Sequence, residues 1–183
     1  MAADQNTSNL ILVSGPSRGG KSRWAEHLLS GSADVTYVAT AADRPNDQDW
    51  QTRLDLHRRR RPSHWRLLES DADLTTALRT IPQQSSVLID ALGGFVACHL
   101  DASDQAWSAC CEELVEQLAG MGQTCVVVIE ETGWGVVPPT LIGGRFRDRL
   151  GSLAQSLDRQ AHSAWLVLQG RAVDLHALSQ RVP

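Results

Sequence analysis

Eight residues, GPSRGGKS from Gly15 to Ser22, follow the spacing G-x-x-x-x-G-K-[ST]. Each residue type in that pattern has a task around a nucleotide phosphate. The glycines Gly15, Gly19 and Gly20 allow the backbone of the loop, with Pro16, Ser17 and Arg18 between them, to curl so that its N–H groups (Pro16 has none) converge on phosphate oxygens. Lys21 supplies a point charge to the β and γ phosphates. The Ser22 hydroxyl is of the type that ligates the accompanying magnesium ion. An apolar run, LILVSG, leads into the loop and a helix-like stretch leaves it, so a helix N-terminus adds its partial positive charge. The competing reading is an ordinary glycine-rich turn.

A second cluster, LHRRRRPSHW (56–65), sets His57 against Arg58, Arg59, Arg60 and Arg61 in a chain whose formal net charge is −4. Neighbouring cations disfavour protonation of an imidazole, so His57 is expected to stay neutral near pH 7 and keep a lone pair. Such a nitrogen can attack an α-phosphorus while guanidinium groups hold the triphosphate and its developing charge. The resulting phosphoramidate is labile enough to hand its nucleotide on. The alternative is a solvated basic helix end, which the helix macrodipole favours. His64, beyond Pro62, competes for the role but stands outside the helical stripe. Asp90 closes the run VLID. An acid at the carboxyl edge of a parallel sheet is the usual magnesium partner beside a phosphate loop, against the alternative of a helix cap.

Five β-rich runs must position these groups: 10–15, 35–40, 86–92, 124–131 and 164–170. Four are almost continuously apolar, as strands covered on both faces are. Helical stretches separate them. DQDWQTRLDLHRR places Trp50, Leu54 and His57 on one face. SDQAWSACCEELVEQLAGMG carries an N-cap signal at Ser103 and a stop at Gly120. IGGRFRDRLGSLAQSLDRQA carries a stripe of Phe146, Leu150, Leu153 and Leu157. Strand alternating with helix predicts an α/β protein with a mostly parallel, doubly wound sheet. At 183 residues it fits one nucleotide-binding domain spanning 1–183, with fraying expected at 1–9 and 177–183 and a surface loop at 42–48.

The bulk composition narrows the partners. A slightly acidic chain does not advertise nucleic acid or an anionic membrane, and no run approaches the length of a membrane span. The N-terminus lacks the basic region of a signal peptide, and Cys98, Cys110, Cys111 and Cys125 show no C-x-x-C spacing. Buried thiols in a reducing cytoplasm are the expectation. The scattered histidines lack metal-ligand spacing, so no protein-bound zinc is expected. Of six tryptophans, Trp134 stands out. It lies in the loop TGWGVVP, where an aromatic is a candidate contact for a large flat substrate; packing is the expectation for the others.

The set LVSGPSRGGKSRWAE, YVAT, RLDLHRRRRPSHWRLLE, VLIDAL, EETGWGVVP, GRFRDRLGSLAQSLD and AWLVLQG, in that order from Leu10 to Gly170, resembles the bifunctional adenosylcobinamide kinase / adenosylcobinamide-phosphate guanylyltransferase family of cobalamin biosynthesis. The H-x-x-x-R-P-x-x-W segment joined to R-F-R-D is its most specific part. The resemblance implies a P-loop, RecA-like fold and two reactions. One moves the γ-phosphoryl of ATP or GTP onto the hydroxyl of adenosylcobinamide. The other carries GMP from GTP, by way of a guanylylated histidine, to adenosylcobinamide phosphate.

By that resemblance the carrier is His57. The nucleotide contacts are Gly15 through Ser22, Ala39, Thr40 and Ala41, Arg58 through Arg61, Glu69 and Asp90; magnesium nucleotides are co-substrates, a corrinoid is the partner, and the assembly is a homotrimer. Arg145, Arg147 and Asp148 resemble residues near the family's subunit contact and active site, against the alternative of a plain amphipathic helix face. The chain departs from its relatives in Glu130, where many carry asparagine, in Asp49-Trp50 for Glu-Met, in four unbroken arginines, and in Asp90 for a frequent glutamate. Two other readings compete: a P-loop kinase of another small alcohol, and a nucleotide-binding regulatory protein without turnover.

Overall fold

In a computed structural model of the chain, the description covers residues 9–40, 46–70 and 72–182; the side chains of Asp49, Trp50, Arg53, Leu54, Leu56 and His57 fall outside it. The apolar runs become the centre of a seven-stranded sheet: β1 (Leu10–Gly15), β2 (Val35–Ala39), β3 (Arg66–Glu69), β4 (Ser86–Asp90), β5 (Cys125–Glu130), β6 (Ser163–Leu168) and β7 (Arg171–Asp174). Their order is β3-β2-β4-β5-β1-β6-β7. All neighbours are parallel except β6 and β7.

Helices α1 (Lys21–Leu28), α2 (Gln48–Arg60), α3 (Leu74–Arg79), α4 (Leu92–Cys98), α5 (Asp104–Gly120), α6 (Leu141–Asp158) and the short α7 (Leu175–Leu178) complete the chain. Two strands escape the sequence reading, β3 and β7. Each has four residues and lies at an edge of the sheet, so neither shows the apolar run that marks a strand covered on both faces.

The uninterrupted apolar character of the inner strands has its cause in two cores. Along β5, Cys125, Val127 and Ile129 face a core built with Phe95 of α4, Leu114 and Leu118 of α5, and Leu150, Leu153 and Leu157 of α6. Val126 and Val128 face the opposite core, which holds Ala25 and Leu29 with Tyr37 and Trp65. The period-two geometry of a strand distributes successive residues to both. Each buried Leu or Phe contributes on the order of 1.5–3 kcal/mol relative to exposure. The expected caps are present: Ser103 accepts from Ala106 N at the start of α5, and α5 ends at Gly120.

Trp65 and Trp107 are buried, and Trp24 meets Trp165 edge-on with centroids 5.2 Å apart. One thiol differs from expectation. Cys98 is exposed, Cys110 and Cys111 are half-buried, and only Cys125 is buried. Cys98 ends α4 on its outer side, where the apolar sequence around it packs and its own side chain does not. Burial raises the thiols of Cys111 and Cys125 to about 12, so these two stay protonated at neutral pH.

Candidate active site

The phosphate loop is built by a backbone that only small residues permit. Gly15 and Gly20 have φ of +147° and +109°, in the region that favours glycine. A Cβ on Gly15 would stand 2.2 Å from the Val167 carbonyl oxygen, and one on Gly19 2.6 Å from the same atom. The loop is therefore pressed against β6. Arg18 takes φ +60° at the loop tip, the Gly19 N–H donates to Pro16 O at 3.2 Å, and the Gly170 N–H donates to Gly19 O at 3.0 Å. Lys21, at the first position of α1 and only 9% exposed, donates from Nζ to Pro16 O at 2.8 Å. The ammonium is thus held across the loop it would serve. Ser22 follows on the same helix turn, half-buried.

Strand register brings the remaining groups to one edge. Ala39 is paired with Glu69 on one side and with Asp90 on the other, so the ends of β3, β2 and β4 form a row. Gly15 is paired with Glu130. Since β5 lies between β4 and β1, Glu130 and not Asp90 is the acid on the strand next to the phosphate loop. Thr40 is buried and donates to the Ala91 carbonyl, binding the end of β2 to the chain leaving β4. Ala41 lies outside the described residues. Glu69 is exposed at the end of β3.

Glu130 Oε2 accepts from the Gly93 N–H at 2.9 Å. A Cβ on Gly93 would stand 2.7 Å from that carboxylate, so a glycine is what lets the acid approach the first turn of α4. Desolvation pushes the Glu130 carboxyl above its ordinary 4.5 and the charge of Asp90 adds to this, while the hydrogen bonds from backbone N–H groups and the charge of Lys21 pull the other way. A carboxyl whose pKa rises on folding makes the folded state lose stability as pH climbs through the raised value. Glu130→Gln keeps an oxygen to accept from Gly93 N–H and removes the buried charge. It is expected to melt above the wild type at about pH 8 and to converge with it below about pH 4, which thermal melts across that range check.

Asp90 Oδ2 accepts from the Tyr37 hydroxyl at 2.8 Å. Burial, then the Asp90 charge and hydrogen bond, push the phenol upward, so it stays protonated and donates. Tyr37 is a residue that the sequence reading missed, as is Glu26 of α1, which pairs with Arg60. The only tyrosine of the chain stands in an apolar strand, where it reads as core.

The arginine run does not act as one body. Arg58 pairs with Asp55 of its own helix at 3.3 Å. Arg60 reaches Glu26 of α1 at 3.2 Å. Arg61 lies over the Tyr37 ring, 5.3 Å from its centroid, and Arg59 is exposed. An open cleft of about 420 Å³ separates α1 from the chain leaving α2, lined by Arg23, Glu26, His27, Arg60, His64 and Trp65. His57 belongs to α2, one turn before its end.

Among the arginines of α6, Arg149 is a structural group and not a surface charge. It is buried, donates to His99 O at 2.6 Å and Ala102 O at 2.8 Å, and lies over Trp107. Arg145 donates to Leu100 O, and Arg147 pairs with Asp148. Trp134 is 58% exposed on the loop before α6, with Val136, Val137, Leu141 and Ile142 exposed beside it.

A glycine-rich loop between the first strand and its helix, facing acids on parallel strand ends, defines a nucleotide-binding P-loop enzyme. Among solved structures the chain is similar to a prototypical ATPase from the type III secretion system of pathogenic bacteria. The TM-score is 0.55 at 15% identity, over 87% of this chain and 51% of that one, which bears on the fold alone. The family is more particular. The family model CobU, cobinamide kinase / cobinamide phosphate guanyltransferase, matches residues 11–175, and the chain belongs to that family of bifunctional transferases.

The chain is 32% identical over 181 residues to the bifunctional adenosylcobalamin biosynthesis protein CobU of Escherichia coli, covering 91% of this chain and 99% of the relative. To the bifunctional adenosylcobalamin biosynthesis protein CobP of Pseudomonas aeruginosa it is 34% identical over 167 residues, covering 90% and 95%.

Proposed function

We propose that this chain carries out both reactions of its family at one sheet edge: phosphorylation of adenosylcobinamide by ATP or GTP, and transfer of GMP from GTP through His57 to adenosylcobinamide phosphate. The observation that carries the reading is the phosphate loop with Lys21 held across it, in a chain whose match to the family spans residues 11–175. In the first reaction the loop N–H groups and Lys21 hold the β and γ phosphates while the alcohol oxygen attacks in line. In the second, a His57 ring nitrogen attacks the α-phosphorus and pyrophosphate departs. A phosphate oxygen of the acceptor then displaces the ring nitrogen and takes the GMP.

Magnesium accompanies the nucleotide in this reading. The Ser22 hydroxyl and the Asp90 carboxylate are hard oxygen donors of the kind that ion takes, and Asp90 ends β4 beside β5, which ends in a second carboxylate at Glu130. When bound, the ion neutralises charge on the phosphates. The Ala39–Thr40–Ala41 segment, Glu69, Arg58 and Arg59 are the further nucleotide contacts of the proposal, while Arg60 and Arg61 are engaged by Glu26 and Tyr37.

The protein is proposed to act in the cytoplasm as a homotrimer, with residues 1–183 as one domain. Among the described residues no helix is long and apolar enough to cross a membrane. The exposed apolar segment from Trp134 to Ile142 suits a corrinoid or a neighbouring subunit.

The experiment is a time course with adenosylcobinamide and magnesium GTP. The proposal predicts adenosylcobinamide phosphate first and adenosylcobinamide-GDP after it. The first product alone would leave the kinase reaction without the guanylyltransferase reaction, and neither product would favour a P-loop kinase of another small alcohol or a nucleotide-binding protein without turnover.

A further inference from the structure

Tyr37 joins two parts of the site that lie on different elements. Its hydroxyl is bonded to Asp90 at the end of β4, and its ring carries the guanidinium of Arg61. The side chain is 6% exposed in the middle of β2, so both contacts start from a fixed point. Arg61 is the fourth residue after His57 and the last before Pro62, where α2 gives way to the chain leading into β3. One residue earlier, Arg60 is paired with Glu26 of α1. The end of the His57 helix is therefore fastened at two points, and one of them is itself bonded to Asp90.

We propose that Tyr37 is a positioning residue for both reactions, orienting the Asp90 carboxylate through its hydroxyl and the His57 helix through the contact of its ring with Arg61. The inference rests on the two-reaction reading above and adds a division of labour to it. A carboxylate bonded to a buried phenol is held to one orientation, and a site group held within a fraction of an ångström works better than a mobile one. A guanidinium lying over a buried ring fixes the backbone that follows His57; an ammonium is also drawn to a ring face but lacks the planar group that stacks on it. In this arrangement Arg60 and Arg61 anchor the helix. Arg58 and Arg59, exposed on its last turn, are left to meet phosphate.

Two substitutions separate the hydroxyl from the ring. Tyr37→Phe removes only the bond to Asp90. Phosphoryl transfer to adenosylcobinamide is expected to fall about tenfold in kcat with KM for the nucleotide within about twofold of wild type. Covalent labelling by α-labelled GTP draws on the same magnesium nucleotide but keeps the ring contact with Arg61, so it should fall clearly less than phosphoryl transfer. Tyr37→Leu removes the ring as well, and the labelling rate should then fall about tenfold too. Arg61→Lys, which leaves the core untouched, should reproduce that labelling loss in a chain with the wild-type melting temperature.

Equal phosphoryl transfer in Tyr37→Phe and wild type would overturn the proposal. So would labelling that Tyr37→Leu or Arg61→Lys leaves unchanged, or a parallel loss of both activities in Tyr37→Phe that follows a fall in melting temperature. A wild type with neither activity would instead overturn the two-reaction reading.

Discussion

His57→Ala is expected to abolish covalent guanylylation and to lower GMP transfer to adenosylcobinamide phosphate by at least about a thousandfold, while phosphoryl transfer to adenosylcobinamide persists. The asymmetry follows from the chemistry. Carrying a nucleotide requires a nitrogen that forms and then breaks a P–N bond, and no other group replaces it. Phosphoryl transfer to an alcohol asks only for positioning and charge stabilisation around the γ-phosphate, which the loop on β1–α1 supplies. His57 stands on α2, a different element, so its loss does not disturb the loop. Separate assays of the two products, with α-labelled GTP for the covalent step, read the effect. His64→Ala serves as the comparison, since that histidine is exposed beyond Pro62 and its loss should leave labelling intact.

Lys21→Ala is expected to damage both reactions, with phosphoryl transfer falling about a hundredfold to a thousandfold. Lys21 is buried and bonded to Pro16 O, so its ammonium is already inside the loop when a triphosphate arrives. Both reactions use that triphosphate. Nucleotide affinity should weaken in the same variant, which equilibrium titration with a non-hydrolysable GTP analogue checks. A variant with wild-type affinity and turnover would place the phosphates elsewhere. The contrast with His57→Ala is the informative part: one substitution removes one product, the other suppresses both.

The parts of this site that could be read from the sequence are those in which local chain chemistry does the work. The phosphate loop is one contiguous segment whose glycines are required by its own backbone, and the expected strand and helix flank it. Ser103, Gly120 and the stripe of Leu150, Leu153 and Leu157 are likewise local signals that the structure bears out. What was not legible depends on which strands become neighbours. Glu130 sits beside the loop because β5 is inserted between β4 and β1, an order that no local pattern encodes. Tyr37 meets Asp90 because β2 and β4 pair with Ala39 opposite Asp90, across some fifty positions of sequence.

The arginine run shows the same limit from the other side. Adjacency in sequence suggested four equivalent phosphate ligands. On a helix, successive residues are turned by about 100° from one another, so Arg58 and Arg60 of α2 end on different partners, and Arg61, just beyond the helix, ends on a third. The short edge strands β3 and β7 were missed for a related reason, since an edge strand of four residues has no second buried face to record in its composition. Glu69, which ends β3, was accordingly placed only by resemblance to relatives.

The most direct measurement is the position of the label. The purified protein is incubated with magnesium and α-labelled GTP, digested under alkaline conditions that preserve a phosphoramidate, and mapped by tandem mass spectrometry. The account predicts GMP on the imidazole of His57 and on no other residue. Label on His64 or elsewhere, or a protein that turns over corrinoid substrate without any covalent nucleotide, would contradict it.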